Sequence, residues 1–402
     1  MTELRLIYLC NAIDEQIRSE RHITSDSPAA TQKVLQVASA LRNSGVGAVV
    51  LSLGRGRQQR SGKWYSAKVV RTDGVPVVYA PFFDYPVLTH LVSLICLLPL
   101  VWRLRSRRGS SVILAYNRLP HYLLAMEWAR LLGFRRFLDL EDGDVTVEGA
   151  FFRRLLGQAL GARFNQLCNG GGMLAASVLG KQYAGRRTVC CYGVAGPLDY
   201  AHDWNAKPLV VLLGGTLQRT TGVQLFVDAI QCLRTSGNHN LADIEFVVTG
   251  VGDMSAKLAV LAADGEPPRV RFLGRVSRDD YIRGVKQAHV GLALKLPSED
   301  LADTTFPSKV IELSSSGLLL LSTRVSDVAQ LFQEDGALYL DSENPQKLAD
   351  LLLWIVDNRM AAAQIAMRGQ LRVAEICSQA RVGQSLKGFF FPSAILSKRP
   401  GA

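Results

Sequence analysis

Apolar strand-like segments and helical segments alternate along almost the whole chain. The first example runs from the apolar segment LRLIYLC, through a stretch with helical spacing at residues 28–44, to the apolar segment VGAVVLSL. Parallel strands need a crossover of about a dozen residues or more, usually a helix, so this order predicts a β-α-β unit. Repeated units of this kind predict an α/β fold in which helices cover both faces of a parallel sheet.

The same alternation of apolar and helical patterns predicts the other strands and helices of the first half. Further strands are predicted at residues 75–81, 111–116, 135–140 and 187–193, and helices at 88–108, 121–132, 150–161 and 172–183. A second alternating series begins at PLVVLLGG and closes with one long helical pattern at residues 345–370.

Polar and turn-forming residues separate the two series at residues 194–208, which predicts a linker there. We therefore predict two Rossmann-like domains, at residues 1–193 and 209–376, and a C-terminal tail at 377–402. Open α/β sheets bind ligands at the carboxyl ends of their strands, so two such domains predict a cleft between them.

Composition narrows the class of protein. Hydrophobic residues make up 48% and charged residues 20%, which excludes disordered, collagen-like and coiled-coil chains. The seven cysteines are an odd number without a CxxC pair, which argues against a disulfide framework or a zinc site and indicates a reducing cytoplasm. The N-terminus also lacks the pattern of a secretory signal.

Positive charge is concentrated in the first half of the chain. Residues 1–205 hold 25 Lys and Arg against 15 Asp and Glu, whereas residues 206–402 hold 21 against 20. Such a surface attracts nucleic acid, anionic lipid or a phosphorylated substrate. The basic runs at 55–63 and 103–108 lack interleaved aromatic residues, so we predict no nucleic-acid partner.

The apolar segment LVSLICLLPLVW at residues 91–102 precedes four arginines, Arg103, Arg105, Arg107 and Arg108. It is too short to cross a bilayer, which needs about 20 residues as a helix. One interpretation is a helix in the interface of an anionic membrane; the other is a core helix with a solvated basic end. The first predicts an outward apolar face formed by Leu91, Leu94, Ile95, Leu98 and Trp102.

The segment TTFPSKVIELSSSG at residues 304–317 is the most informative motif. A loop that ends in Pro307 leads into a helix that carries Lys309 and Glu312. A helix start and a lysine together suit a diphosphate, and a carboxylate one turn further on can accept hydrogen bonds from a vicinal diol such as ribose.

This segment resembles the nucleotide-sugar motif of retaining GT-B glycosyltransferases of the glycosyl transferases group 1 (family 4) type. VLLGGTLQRTTGVQLFVDAI, FVVTGVGD and VRFLGRVSRDDYIRGVKQAHVGLAL precede it in the order typical of that family. The resemblance covers residues 206–376 and, more loosely, 1–205. It implies the GT-B fold, two Rossmann-like domains facing across a cleft, a donor held mainly by the second domain, and no metal or cofactor.

The resemblance also implies roles for single residues. Glu312 would bind the donor ribose, and Lys309 or Arg219 would supply the positive charge at the diphosphate. Further donor contacts would come from four groups of residues. They are the glycine turn (Gly214, Gly215, Thr216), a glycine pair (Gly250, Gly252), a loop that flanks the base (Gly274, Arg275, Val276) and the motif loop (Thr304, Thr305, Phe306, Pro307, Ser308). Ordinary turn chemistry is the alternative for the glycines.

Three positions depart from the family pattern. Thr216 and Thr221 stand where the family has an Arg and a Lys facing the diphosphate, and Thr304 replaces the first Glu of the motif. Sugar contacts there would come from Thr304, Thr305, Asp303 or the backbone. These changes fit either altered charge placement or lost catalysis.

The first half offers candidates for the acceptor side. His121 lies in the segment YNRLPHY at the end of the predicted strand SVILAY, where similar proteins often have a polar residue or His beside the sugar. A surface His is the alternative. Four carboxylates lie at the carboxyl end of the strand RRFLDL and suggest acceptor binding or base catalysis, with Asp142 as the candidate catalytic group. A helix-capping turn is the alternative. The four carboxylates are Asp139, Glu141, Asp142 and Asp144. Residues 27–30 fit either a close approach to ligand or ordinary capping of the first long helix.

Together these features predict a glycosyltransferase that moves a sugar from a nucleotide-sugar donor to a lipid-linked or polysaccharide acceptor, in cell-envelope polysaccharide or glycolipid biosynthesis. It would be cytoplasmic and peripheral at the inner, anionic face of the membrane. The alternatives are a sugar-nucleotide epimerase on the same fold and a non-catalytic GT-B binding protein.

Overall fold

The computed structural model divides the chain into two compact units, each with its own sheet. Unit 1 comprises Met1–Val194 and Gln379–Ala402, and unit 2 comprises Ala195–Ser378. The structure describes residues 3–24, 26–56, 61–86, 88–107, 109–141, 151–183, 185–196, 202–237, 239–299 and 302–392.

Unit 1 contains ten strands and, before the chain enters unit 2, five α-helices within the described ranges. The strands are β1 (Leu4–Cys10), β2 (Gly47–Ser52), β3 (Trp64–Tyr65), β4 (Lys68–Thr72), β5 (Val75–Tyr79), β6 (Phe82–Phe83), β7 (Ser110–Tyr116), β8 (Arg135–Leu140), β9 (Gly171–Leu174) and β10 (Thr188–Cys190). The helices are α1 (Glu15–Glu20), α2 (Pro28–Asn43), α3 (Leu88–Leu104), α4 (Leu123–Leu131) and α5 (Phe151–Leu167), with 3-10 turns at Pro120–Tyr122 and Ser177–Tyr183.

Eight of these strands form one sheet in the order β10-β9-β8-β7-β1-β2-β5-β4. All neighbours are parallel except β4, which pairs antiparallel with β5 at the edge. The order reverses between β1 and β7, so the carboxyl ends of these two strands flank the switch point where such sheets bind ligands. β3 and β6 form a separate antiparallel pair.

Unit 2 repeats this plan with a six-stranded parallel sheet in the order β13-β12-β11-β14-β15-β16. Its strands are β11 (Leu209–Thr216), β12 (Ile244–Val251), β13 (Arg269–Phe272), β14 (Val290–Ala293), β15 (Leu319–Thr323) and β16 (Leu338–Leu340). Its α-helices are α6 (Val223–Thr235), α7 (Ser255–Ala263), α8 (Arg278–Gln287), α9 (Lys309–Ser315), α10 (Val328–Phe332), α11 (Pro345–Asp357) and α12 (Arg359–Cys377), with a 3-10 turn at His239–Asp243. The switch point here lies between β11 and β14.

The chain returns to unit 1 through α13 (Gln379–Phe390), which packs against α2. Gly383 lies so close to α2 that a Cβ there would be 2.2 Å from the Ala40 carbonyl oxygen. Phe389 and Phe390 pack on Phe137 of the central sheet, with ring centroids 5.3 and 4.9 Å from it. Part of the segment predicted as a tail thus completes the core of unit 1.

Burial on both faces of each sheet explains the near-continuous apolar strands. In unit 1, one face of the sheet carries Leu6 and Tyr8 with α2 and α13, and the other carries Ile7 and Leu9 with α3 and α4. The α/β prediction is confirmed: both sheets have the Rossmann strand order and helices on both faces.

Two segment predictions were wrong. The predicted helix at residues 172–183 begins as strand β9, and the predicted long helix at 345–370 is two helices that meet at Asn358. A Cβ at Gly171 would lie 2.1 Å from the Arg187 carbonyl oxygen, so packing requires glycine at this position. Because glycine is rare in strands, the β9 sequence GGML does not show the pattern of a strand.

Candidate functional site

The switch point of unit 2 brings the end of β11 next to the loop that follows β14. β11 ends in Gly214, Gly215 and Thr216, and the chain after β14 leads through the motif loop into α9. The carboxyl ends of parallel strands lie at one edge of the sheet, so the sequence motif and the glycine turn share that edge.

Lys309, the first residue of α9, reaches this glycine turn. A Cβ built on Gly215, whose φ is +123°, would lie 2.7 Å from the Lys309 Nζ, and one on Gly214 would lie 3.3 Å from it. Any side chain at Gly215 would therefore displace the ammonium as well as strain the backbone. Among the described residues the ammonium makes no ion pair or hydrogen bond. Burial lowers the pKa of Lys309, and the nearby Glu312 partly offsets that effect.

Tyr281 of α8 connects the lysine with the motif carboxylate. Its hydroxyl donates to Glu312 Oε2 at 3.3 Å, and the Lys309 Nζ lies 5.5 Å from the centre of its ring. Burial, and next the charge of Glu312, raise the pKa of Tyr281 well above its usual value, so the hydroxyl stays protonated and donates. Sequence reasoning missed this residue; its only signal is that it is the one aromatic residue of α8.

The other predicted cation and the two threonines lie in the turn after β11. The side chain of Arg219 is exposed, and no ion pair or hydrogen bond links it to another described residue. Thr221 organises the turn: its hydroxyl donates to the carbonyl oxygens of Thr216 at 2.7 Å and Gln218 at 2.9 Å. Lys309 is thus the cation that the fold holds at the glycine turn.

The glycines of β12 have a steric role that does not depend on a ligand. A Cβ on Gly250 would be 1.8 Å from the Gly215 carbonyl oxygen, and one on Gly252 would be 2.0 Å from that of Leu217. The Gly250 amide donates to the Gly274 carbonyl oxygen at 2.8 Å, which fixes the start of the loop with Arg275 and Val276. Their roles toward a donor remain predictions.

The motif loop before α9 contains an unsatisfied polar group. The Thr304 hydroxyl is buried and has no hydrogen-bond partner among the described residues, whereas the Thr305 carbonyl oxygen accepts from Lys295 Nζ at 3.2 Å. Phe306 is buried, and Pro307 and Ser308 are half-buried before α9, where Ser308 is the N-cap without a side-chain capping bond. Asp303 Oδ1 accepts from the Ser326 amide at 3.4 Å.

In unit 1, His121 lies beside a second histidine. Its Nε2 is 2.5 Å from Nδ1 of His90, and the two rings stack with centroids 4.7 Å apart. Burial, followed by the charge of Arg55 and the neighbouring His90, lowers the pKa of His121 to about 4. His121 is therefore neutral near pH 7.

The described carboxylates at the carboxyl end of β8, Asp139 and Glu141, are held in a buried network. Tyr8 donates its hydroxyl to Asp139 Oδ2, and Lys33 pairs with Glu141. Asp139 is fully buried; burial raises its pKa well above the usual value, and Glu141 raises it further. The Glu141 amide donates to Asn117 Oδ1 at 2.8 Å. Asp142 and Asp144 lie outside the described residues.

The first turn of α2 shows ordinary capping. Ser27 is the N-cap, its hydroxyl accepts from the Ala30 amide at 3.4 Å, and Pro28 follows at the first helical position. This is the capping interpretation that the sequence left open for residues 27–30.

Comparison with known proteins gives the sequence family that unit 2 matches and the fold of the chain. Residues 207–358 match the family model described as Glycosyl transferases group 1, and they lie within unit 2. The amylovoran biosynthesis glycosyltransferase AmsK of Erwinia amylovora is 23% identical over 169 residues, which are 42% of this chain and 40% of that protein. The match thus spans about two fifths of the length of this curated relative.

Solved structures resemble the whole chain. HepE of Anabaena in complex with UDP has a TM-score of 0.66 at 14% identity, covering 98% of this chain and 100% of that one. The trehalose 6-phosphate synthase of Burkholderia multivorans has a TM-score of 0.65 at 14% identity, covering 99% and 100%. The fold is GT-B. The family model matches residues 207–358 alone, and there it confirms the resemblance to the glycosyl transferases of group 1 seen in the sequence.

Proposed function

We propose that this chain transfers a sugar from a nucleotide-sugar donor, bound by unit 2, to a lipid-linked or polysaccharide acceptor. The observation that carries the proposal is the ammonium of Lys309 beside Gly214 and Gly215, with Glu312 one helical turn further on. A nucleoside diphosphate presents both groups that such a site needs, a diphosphate for the cation and a ribose diol for the carboxylate.

The names of related proteins support the same reading. HepE was solved with UDP and with UDP-glucose, and AmsK is a glycosyltransferase of amylovoran biosynthesis. We therefore assign the chain to cell-envelope polysaccharide or glycolipid biosynthesis, with retention of anomeric configuration as the resemblance implies.

A screen of nucleotide sugars by thermal shift tests the donor. A ligand at 100 times its dissociation constant adds about 2.7 kcal/mol to the free energy of unfolding, a shift that is easily measured. The donor found this way is then incubated with the protein and an extract of envelope lipids. Release of nucleoside diphosphate with a glycosylated product supports the proposal; an epimerised nucleotide sugar, or binding without turnover, supports one of the two alternatives instead.

Tyr281 offers a test of the site itself. We expect Tyr281→Phe to weaken binding of the donor nucleotide by about two- to thirteenfold, because a hydrogen bond worth about 0.5–1.5 kcal/mol no longer orients Glu312. Titration calorimetry measures the change. Tyr339→Phe is the matched control, since the Tyr339 hydroxyl donates to the Gln333 carbonyl oxygen elsewhere in unit 2. Equal affinities for the two variants would remove Tyr281 from the site.

We also propose that α3 docks unit 1 on an anionic membrane. None of the helices in the described ranges is long and apolar enough to span a membrane. The buried face of α3 carries Leu97 and Val101, while Leu91, Ile95 and Trp102 are 50%, 63% and 56% exposed. Leu94 and Leu98 are half-buried, and Arg103, Arg105 and Arg107 are exposed beyond them. This combination of an outward apolar face and a basic end suits an anionic lipid interface.

Vesicle sedimentation tests this docking. Each arginine near an anionic surface contributes about 1 kcal/mol, so we expect the protein to sediment with anionic vesicles at low salt and to be released at high salt. Ile95→Glu should abolish sedimentation, whereas Val260→Glu, at a residue of unit 2 that is 74% exposed, should not. Equal partition to neutral and anionic vesicles, or to neither, would contradict docking.

A further inference from the structure

Arg55 of unit 1 is a buried cation without a carboxylate partner. It follows β2, is 6% exposed, and its guanidinium donates to Thr89 Oγ1 at 3.3 Å and lies 3.3 Å from His90 Nδ1. No carboxylate among the described residues pairs with it. Burial lowers the pKa of Arg55 to about 10. A buried arginine normally faces an anion, because desolvating its charge is costly and its five N–H groups need acceptors.

The groups around Arg55 add further donors and no negative charge. His90 and His121 stack beside it, and the pKa of each is lowered, by burial first and then by Arg55, so both rings are neutral near pH 7. Because a guanidinium can only donate, His90 Nδ1 accepts from Arg55 and also from the Nε2–H of His121, which leaves the Nε2–H of His90 as a donor. Tyr122 is fully buried, and its hydroxyl has no hydrogen-bond partner among the described residues.

The strand order places this cluster at the ligand-binding edge of unit 1. Arg55 follows β2 and His121 follows β7, and these two strands are the neighbours of β1 on either side. Both residues therefore lie just beyond the carboxyl ends of strands at the switch point. His90 belongs to the first turn of α3, and the dipole of that helix also favours an anion at this end.

We propose that Arg55, His90 and His121 form a binding site for a phosphate group carried by the acceptor. The inference rests on the proposed function, because the donor diphosphate already has its own cation, Lys309, in unit 2. A phosphate ester supplies several acceptor oxygens and a full negative charge, which match the guanidinium of Arg55 and the Nε2–H of His90, whose ring His121 holds in place. The ester could be a prenyl phosphate or a water-soluble sugar phosphate.

Titration calorimetry with two probes, geranyl phosphate and glucose 1-phosphate, tests the site and separates the two sources. We expect the wild-type protein to bind at least one probe, and Arg55→Gln and His90→Gln each to bind it at least tenfold more weakly. Arg130→Gln is the matched control: it removes an exposed arginine of α4 that pairs with Glu127, at the end of the helix that points away from the carboxyl edge. It should bind like the wild type.

A nucleoside diphosphate titrated into the same proteins keeps the two hypotheses apart. Its affinity should be equal in wild type, Arg55→Gln and His90→Gln. Suppose that the nucleoside diphosphate binds, but that each phosphate probe has the same affinity for the wild type as for the two variants. The phosphate site is then wrong and the proposed function stands. If no nucleoside diphosphate binds the wild type, the proposed function fails, and the assignment of the phosphate to an acceptor fails with it. Arg55→Gln replaces a buried side chain and the variant protein can fail to fold. In that case the comparison of wild type with His90→Gln decides the test.

Discussion

Lys309→Ala should lower kcat/KM for sugar transfer by about 10²- to 10³-fold. The nucleoside diphosphate leaving group gains negative charge in the transition state, and removing one fixed group that stabilises such charge typically costs about 2.7–4 kcal/mol. The variant should nevertheless be at least as stable as the wild type. Burial lowers the pKa of Lys309 in the folded protein, so the unfolded chain binds the ammonium proton more tightly than the folded protein does. The charged side chain therefore lowers the free energy of unfolding near pH 7.

Two variants serve as controls for this expectation. Lys257→Ala removes an exposed lysine of α7 whose ammonium donates to Gln224 Oε1 at 2.9 Å, and its turnover should be that of the wild type. Arg219→Ala tests the other predicted cation; because Arg219 is exposed, its loss should cost much less than that of Lys309. Normal turnover in both Lys309→Ala and Arg219→Ala would show that the site has been placed wrongly.

Glu312→Ala should weaken binding of the donor nucleotide by about 1.5–3 kcal/mol, as expected for the loss of hydrogen bonds to a charged group. The carboxylate is held by the Tyr281 hydroxyl and is only half-buried, so the fold should persist. Titration calorimetry provides the affinity, and the melting temperature reports on folding.

Glu375→Ala is the matched control for Glu312, since it removes an exposed glutamate of α12 in the same unit. Its affinity for the donor nucleotide should be that of the wild type. An unchanged affinity in a folded Glu312→Ala protein would overturn the assignment of this carboxylate to the ribose.

The periodicity of the sequence was sufficient to predict the fold class, because parallel strands buried on both faces are apolar throughout and are separated by amphipathic helices. It failed where tertiary packing decides the local structure. The glycine-rich segment at Gly171 is a strand because it pairs with β8 and β10, and the Arg187 carbonyl oxygen leaves no room for a Cβ at Gly171. The break between α11 and α12 at Asn358 left no sequence signal that periodicity detects.

The candidate site was only partly predictable for a related reason. Lys309 and Glu312 could be found because they lie in one short motif, in which helical spacing relates them. Tyr281 and the cluster of Arg55, His90 and His121 are assembled from separate elements, so only the strand order brings their members together. Thr221 illustrates the opposite case: its position suggested a lost cation, and the structure shows a hydroxyl that organises the turn.

The central claim is that the glycine turn, Lys309 and Glu312 of unit 2 bind the donor nucleotide. Titration of the protein with a panel of nucleoside diphosphates tests it most directly. The panel comprises UDP, GDP, ADP, CDP and dTDP, and the titrations are made with wild type, Lys309→Ala and Lys257→Ala. We predict that at least one nucleotide binds wild type and Lys257→Ala equally and binds Lys309→Ala at least tenfold more weakly. Binding of no nucleotide to the wild type, or equal binding to all three proteins, would contradict the claim.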